Sequence, residues 1–432
     1  MLRALFILLA LPAAAMEFPD PVDDGSYRPT DPAQVEMGRL LFWDPILSGN
    51  RNISCGTCHH PRFGTGDGLA LGLGEGGRGL GPDRVPDPSN PPEARIPRNA
   101  PGLWNLGARE FAVLFHDGRI EERGGALRTP MGPDMVVGFD TLLSAQTMFP
   151  VLSPDEMAGH YSENEVSRAV RQGLITGEGG AWDLIAGRVR DIPAYVRMWR
   201  AAFPGDDTLD FTDISDAIAA FVEHEWRSDT APFDAWLRSS GDLPRPALEG
   251  AELFYGAAGC AACHSGPFQT DHGFHAMGQP QVGPGKRARF ETHARDDGRM
   301  RVTGDPADRF AFRTPSLRNV TETGPWGHAG AYDDLRAFLR DHAAPRRALR
   351  DPHRHVTLPP IAPEAAADDL RLMNDPVEVA ALAAAIRGPD IVLDAAELDA
   401  LMAFLGSLRD ETALRGRLGI PDAVPSGLPI DR

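Results

Sequence analysis

Cysteine and histidine occur together twice in this chain, as Cys55-Gly56-Thr57-Cys58-His59 and Cys260-Ala261-Ala262-Cys263-His264, and the two runs use all four cysteines. Cys-x-x-Cys-His is the spacing of c-type haem attachment: two thiols add across the vinyl groups of one porphyrin, and the next histidine binds the iron from the proximal face. A redox dithiol needs one pair and no histidine. A zinc ribbon brings its pairs within some tens of residues, whereas these lie about two hundred apart. With 13 His among 432 residues, a histidine after both pairs has chance odds of about one in a thousand. The spacing therefore predicts two covalently bound haem c groups, one on Cys55, Cys58 and His59, the other on Cys260, Cys263 and His264.

The remaining composition bounds what such a chain does. Arg3, the apolar run Leu5 to Leu11 and the small residues Ala13-Ala14-Ala15 read as a signal peptide cleaved near Ala15, which implies a periplasmic protein. That run is too short to span a bilayer, and no later segment approaches twenty apolar residues. A formal charge of -18, or -19 once Arg3 is lost, argues against a nucleic-acid partner. It suits a basic or dipolar redox protein, or plain solubility. The 42% apolar content is enough for two cores in a chain of this length.

Elements can be placed around the two motifs. Val35 to Trp43 and Ala247 to Tyr255 read as helices approaching the first and second haem motifs, and Ile214, Ile218, Phe221 and Val222 share one face of a helix over Ile214 to Trp226. Gly64 to Pro101 is too rich in Gly and Pro for either helix or strand, and Leu237 to Pro246 is the best linker. Asp394 and Glu397 form a capping pair before Leu398, Leu401, Met402, Leu405 and Leu408. No convincing sheet is visible. The expected class is mainly α, with two cytochrome c-like domains, 16–241 and 242–432, each carrying one covalent haem.

Several short motifs resemble those of the bacterial di-haem cytochrome c peroxidase and MauG family. They are Gly38-Arg39-Leu40-Leu41-Phe42, Leu47-Ser48, Ile53-Ser54-Cys55, Arg98-Asn99-Ala100-Pro101, Asp117-Gly118-Arg119, Glu156-Met157, Thr314-Pro315-Ser316-Leu317-Arg318-Asn319-Val320, Pro325-Trp326 and Gly330. The resemblance covers most of the mature chain. It implies that peroxide reacts at the N-terminal haem while the C-terminal haem relays electrons.

It also implies roles residue by residue. The family's acid-base glutamate matches Glu156, after an extra stretch of chain from about Gly132 to Val151, and the family's nearby glutamine is replaced close to Ala126. Peroxidases of this family block the resting N-terminal haem with a histidine. Glu75 stands at that position here, which implies an open iron unless His60 or another side chain plugs it. The tryptophan that lies between the haems in relatives is His116 in this chain. Imidazole is harder to oxidise than indole, so His116 is either a hydrogen-bonded bridge or a structural residue, with Trp104 as an alternative carrier. The distal ligand of the second haem falls at His342, with Met277 and Met300 as rivals and His328 as a structural histidine; two imidazoles give a low-potential, six-coordinate haem. Asn99, Thr323 and Pro325 match positions that hold calcium in the family.

The expected function is a periplasmic di-haem oxidoreductase that reduces hydrogen peroxide, drawing electrons from a small cytochrome c or cupredoxin. One alternative is a MauG-like enzyme that oxidises Trp or Tyr side chains of a protein substrate. Another, from a different class, is a non-catalytic di-haem electron carrier, in which both irons would have a sixth ligand.

Overall fold

A computed structural model describes residues 17–288, 290–350 and 356–432; the expected signal peptide and its cleavage point near Ala15 lie outside the described residues. Among them, no helix is long and apolar enough to cross a membrane.

The architecture is mainly helical and built around two helix crossings. In the first half, Pro32–Trp43 starts on the Asp31 cap with proline at its first turn and packs across Phe211–Glu225, whose N-terminus is closed by an Asp210/Asp213 capping box. In the second half, Arg245–Tyr255 packs across Ala395–Ser407. The predicted Asp394/Glu397 capping box is present there, and Leu398, Leu401, Leu405 and Leu408 are buried.

Each crossing passes through one glycine. A β-carbon on Gly38 would lie 1.7 Å from the Ala217 carbonyl oxygen, and one on Gly250 would lie 1.9 Å from that of Ala400. Any side chain would force the helices apart.

Two apolar cores follow from these crossings. The first includes Met37, Leu41, Phe42, Trp43, Ile218, Phe221 and Trp226; the second includes Phe233, Ala251, Phe254, Leu401, Phe404 and Leu408. The chain ends cross between them. Phe18 sits edge-on to Trp236 and Tyr255, while Ala413 and Val424 join the first core. Glu225 accepts the backbone N–H groups of Arg417, Leu418 and Gly419 at 2.7 to 3.1 Å.

Strand is sparse but present, contrary to expectation. Among the described residues three small antiparallel sheets form, the largest ordering Val113–Leu114, Ile120–Arg123 and Ala126–Arg128. Its hairpin turns on Gly124-Gly125, both at positive φ (61° and 76°), the backbone that a two-residue primed turn requires. Another pair, Gly77–Arg78 with Val85–Pro86, lies inside the Gly/Pro-rich stretch. The extra chain before Glu156 is not a loose flap. It contains the helix Leu142–Thr147, buries Leu143, Ala145, Met148 and Val151 in the first core, and bonds Thr147 Oγ1 to Ser215 Oγ at 2.6 Å.

Candidate functional site

Both Cys-x-x-Cys-His runs follow these crossings closely. Cys55–Cys58 forms one helical turn whose Gly56 lies against Trp43, so that a β-carbon there would be 2.3 Å from the indole. Cys260–Ala262 forms a 3-10 turn. All four thiols are free of disulfides.

The two histidines that end the runs are held alike. Nδ1 of His59 lies 3.0 Å from the Thr65 carbonyl oxygen, and Nδ1 of His264 lies 3.1 Å from that of Gln269. Donation from Nδ1–H to these carbonyls leaves each Nε2 as a free lone-pair donor. Burial lowers the pKa of both rings, which keeps them neutral. Thr65 and Gln269, the residues that present the carbonyls, both adopt left-handed backbone (φ 64° and 51°).

A second shared device supports the loops. Asn105 and Asn319 each have positive φ (60° and 57°). Their N–H groups donate to the Trp226 and Leu408 carbonyls at 3.0 and 3.2 Å, at the ends of the two core helices. Their Oδ1 atoms accept from the N–H groups of Ser228 and Asp410, each at 2.7 Å. The sequence carries the signal for this pair as Pro101-x-Leu103-x-Asn105 and Pro315-x-Leu317-x-Asn319, a repeat that reading motif by motif overlooks.

Opposite His264 the structure brings a second imidazole. The His264 and His342 ring centroids lie 6.2 Å apart. With metal–imidazole bonds of about 2 Å and about 1.2 Å from nitrogen to ring centre, two imidazoles on one metal ion have centroids about 6 Å apart. The pair therefore fits opposite faces of one haem iron. Phe338, one turn earlier on the helix Leu335–Ala343, stacks on His342 at 5.4 Å. The Gln279 side-chain amide lies 3.2 Å from His342 Nδ1, while its Oε1 has no partner. Exchanging the amide's O and N lets Oε1 accept from Nδ1–H, again freeing Nε2.

The first half is arranged differently. Among the described residues, no imidazole faces His59 in this way. His60 packs edge-on against Trp43 at 5.4 Å and accepts the Arg62 N–H on Nδ1. Glu75 is buried, its Oε1 accepting from Asn50 and Asn52 at 2.9 and 3.0 Å. Its N–H donates to the Asp155 carbonyl at 3.0 Å, and Gly74 abuts Glu156, so the Glu75 and Glu156 segments are brought together.

Glu156 lies in a π-type turn, Pro154–Ala158. Burial raises its pKa, opposed by the charges of Lys286 and Arg119, and its own charge reaches Cys58. Asp67, just past the Thr65 carbonyl, is a second buried carboxylate near Cys58, pushed up to about 7 by burial. Sequence reading missed it because one aspartate in a Gly-rich loop carries no pattern.

His116 joins the halves. Its Nε2 lies 3.2 Å from the Asn99 carbonyl oxygen, and its own carbonyl accepts the Arg313 N–H at 2.8 Å. Burial, then the Arg98 and His328 charges, lower its pKa to about 3, so the ring is neutral. Next to it, Arg98 pairs with Asp117 at 2.7 Å and with Asp296 at 2.6 Å. His328 stacks on Phe312 at 3.8 Å, and Trp104 is buried with no partner for its indole N–H.

Of the three candidate calcium positions, the Asn99 side chain and the Pro325 carbonyl meet directly. Asn99 Nδ2 donates to the Pro325 carbonyl at 2.8 Å, and its Oδ1 accepts from Leu71 N–H at 3.0 Å. Thr323 spends its hydroxyl on the Val320 carbonyl at 3.2 Å.

Comparison with known proteins agrees with this geometry. The sequence profile of the di-haem cytochrome c peroxidase family matches residues 32–242. Methylamine utilization protein MauG of Methylorubrum extorquens is 31% identical over 336 residues, covering 77% of this chain and 75% of that protein. Cytochrome c551 peroxidase of Nitrosomonas europaea is 29% identical over 303 residues, covering 70% of each. Among solved structures, a MauG-like protein associated with microbial copper homeostasis matches with TM-score 0.57 and 24% identity, covering 94% of this chain and 97% of that one. The diheme peroxidase BthA of Burkholderia thailandensis matches with TM-score 0.53 and 22% identity, covering 97% of each. These structural likenesses speak for the fold. Identity and coverage against the curated relatives carry the conclusion that the chain belongs to the di-haem cytochrome c peroxidase and MauG family, as a peroxidase-like haem oxidoreductase.

Proposed function

We propose that the protein is a periplasmic enzyme that reduces hydrogen peroxide at a haem on Cys55, Cys58 and His59, with electrons relayed through a haem on Cys260, Cys263, His264 and His342. The two haem units are 16–241 and 242–432. The observation that carries this reading is the asymmetry of the two sites. An imidazole faces His264 at 6.2 Å, whereas His59 has no such partner among the described residues and a buried carboxylate, Glu156, lies nearby.

Haem at these sites supplies the iron that binds peroxide and the reversible electron transfer. The protein's own contribution is positional and protonic. Thr65 and Gln269 orient the two proximal imidazoles. Glu156 takes the proton from one peroxide oxygen and returns it to the other, so that with two electrons and two further protons the products are two waters. His342 closes the second haem and lowers its potential relative to a thioether ligand, because imidazole stabilises the oxidised iron. His116 holds the halves in register through Asn99 and Arg313 and passes no charge of its own.

The electron source is a small cytochrome c or cupredoxin. One observation favours a second reading: Glu75 is tied to Asn50 and Asn52, so no imidazole has to leave before peroxide binds. An enzyme ready in its oxidised form suits the withdrawal of electrons from Trp or Tyr side chains of a partner protein.

Low-temperature EPR of the ferric protein, followed by stopped-flow mixing with peroxide, tests the reading. One high-spin and one low-spin signal are expected, with reaction at once on mixing. Two low-spin signals leave the electron-carrier reading instead, and a lag abolished by one-electron reduction restores a gated peroxidase.

A further inference from the structure

Positive charge gathers in one cavity of a chain whose formal charge is -18. The cavity, of about 690 Å³, opens between segments of the two halves. The first half contributes Arg119, Arg123 and Arg128, the last two on the strands Ile120–Arg123 and Ala126–Arg128. The second half contributes Arg299, Arg301 and Lys286, the only lysine in the chain. Against these six cationic side chains the lining holds two carboxylates, Asp117 and Glu121.

Both carboxylates are already spent. Asp117 pairs with Arg98 at 2.7 Å and with Arg119 at 3.2 Å, and Glu121 pairs with Arg299 at 2.7 Å. Arg128 stands 3.8 Å from the same Glu121, and Arg301 finds its partner, Glu291, outside the lining at 3.0 Å. Among the described residues, the side chains of Arg123 and Lys286 have no hydrogen bond and no ion pair. Burial, then the Arg119 and Arg98 charges, lower the pKa of Lys286 to about 8, as befits an ammonium set among cations with too little counter-charge.

The same cavity has an apolar edge. Leu127 and Val302 line it, one from each half, and are 40% and 38% exposed. Exposed apolar side chains beside unneutralised cations suit a ligand that carries hydrocarbon and negative charge in one molecule.

We propose that this cavity is a binding site for a small organic carboxylate, neutralised by Lys286 and Arg123 and covering Leu127 and Val302 with its carbon skeleton. The volume lies within the range of small-molecule sites, about 300 to 1,000 Å³. Guanidinium and ammonium groups hold carboxylates through charge-assisted hydrogen bonds, whereas an inorganic anion would leave the apolar edge in water. The site uses neither Glu156 nor His342, so it stands apart from the peroxide reading. Because its walls come from both halves, an occupant also ties them together.

The probe is adipate, a dicarboxylate with four methylenes, titrated calorimetrically into the oxidised holoprotein at constant ionic strength set with potassium chloride. Saturable binding of one adipate per chain is expected, about tenfold or more tighter than inorganic phosphate, with a melting temperature that rises with adipate concentration. Lys286→Met and Arg123→Ala should each weaken adipate about tenfold. Arg245→Ala, at an arginine outside the cavity that pairs with Glu249 at 2.7 Å, should leave it unchanged. Haem content and the ferric spectrum report folding; if Lys286→Met loses haem, Arg123→Ala on the hairpin carries the test.

Three results overturn the inference. Absence of saturable binding to the holoprotein means that no free carboxylate is accommodated, whether or not the carboxylates of the haem itself fill the space. Equal affinity for phosphate reduces the cavity to a patch of charge. Adipate binding that survives at full strength in the cavity variants places it elsewhere.

Discussion

The two halves of this protein share a frame and differ at what it presents. On the proximal side they match almost point for point: a glycine at the helix crossing (Gly38, Gly250), a left-handed residue whose carbonyl orients the histidine (Thr65, Gln269), and an asparagine tying the loop to the end of the core helix (Asn105, Asn319). They differ in what stands against the histidine: a second imidazole, His342, faces His264, whereas among the described residues no imidazole faces His59 and the buried carboxylates Glu156 and Asp67 act on Cys58 instead. A repeated scaffold thus holds one buried histidine in each half, while side chains outside the repeat, His342 on the helix Leu335–Ala343 and Glu156 in the turn Pro154–Ala158, make the two sites differ. The first half is also the larger investment of chain: it takes the Leu142–Thr147 insertion and the C-terminal tail, where Asp431 accepts a 2.6 Å bond from Thr57 inside the first Cys-x-x-Cys-His motif.

The sharpest way to break the contrast is to remove the distal imidazole. His342→Ala should convert the low-spin EPR signal completely to high spin, making the second haem resemble the first, with covalent haem content unchanged. An unaltered signal would move the sixth ligand to Met277 or Met300.

The shared frame can be tested at its tightest points. Gly38→Ala and Gly250→Ala each place a methyl group within 2 Å of a backbone carbonyl, so each should destabilise its own half by about 3 kcal/mol or more, read by denaturant unfolding and by haem retention. If only one is damaging, the two crossings are not equivalent in energy.

Glu156→Gln tests the distal difference and should slow the ferric reaction with peroxide about a hundredfold, near 2.7 kcal/mol of barrier. A rate left undiminished in stopped-flow mixing takes Glu156 out of the mechanism and brings Asp67 forward.

The smallest expected effects are at the asparagines. Asn105→Ala removes three buried side-chain hydrogen bonds and Asn319→Ala two, and each places alanine in left-handed backbone, for about 2 kcal/mol apiece in unfolding experiments. Similar losses at both would show that the repeat is energetic as well as geometric.

Much of this was legible from the residues alone. The haem motifs, the four core helices and the Asp394/Glu397 cap could be read because each is local: ligand spacing within five residues, apolar periodicity over three turns, one side chain capping its own helix. The Gly124-Gly125 hairpin was equally local and was missed, because short strands rich in Glu and Arg lack the apolar alternation that marks a half-buried strand.

What the sequence determined by itself was the chemistry available: two Cys-x-x-Cys-His motifs, eleven other histidines, one lysine, an acidic composition. What only the tertiary structure decided was which groups meet. His342 lies 78 positions beyond His264, and nothing local to either requires their rings to stand 6.2 Å apart. Asp67 acquires its raised pKa, and Lys286 its lowered one, from burial and from charges brought in by other loops. The physical reason is the range of the forces involved. Capping, spacing and helix periodicity act within a few residues of chain, whereas desolvation and charge pairing depend on distance in space, which exists only once the two halves have folded together.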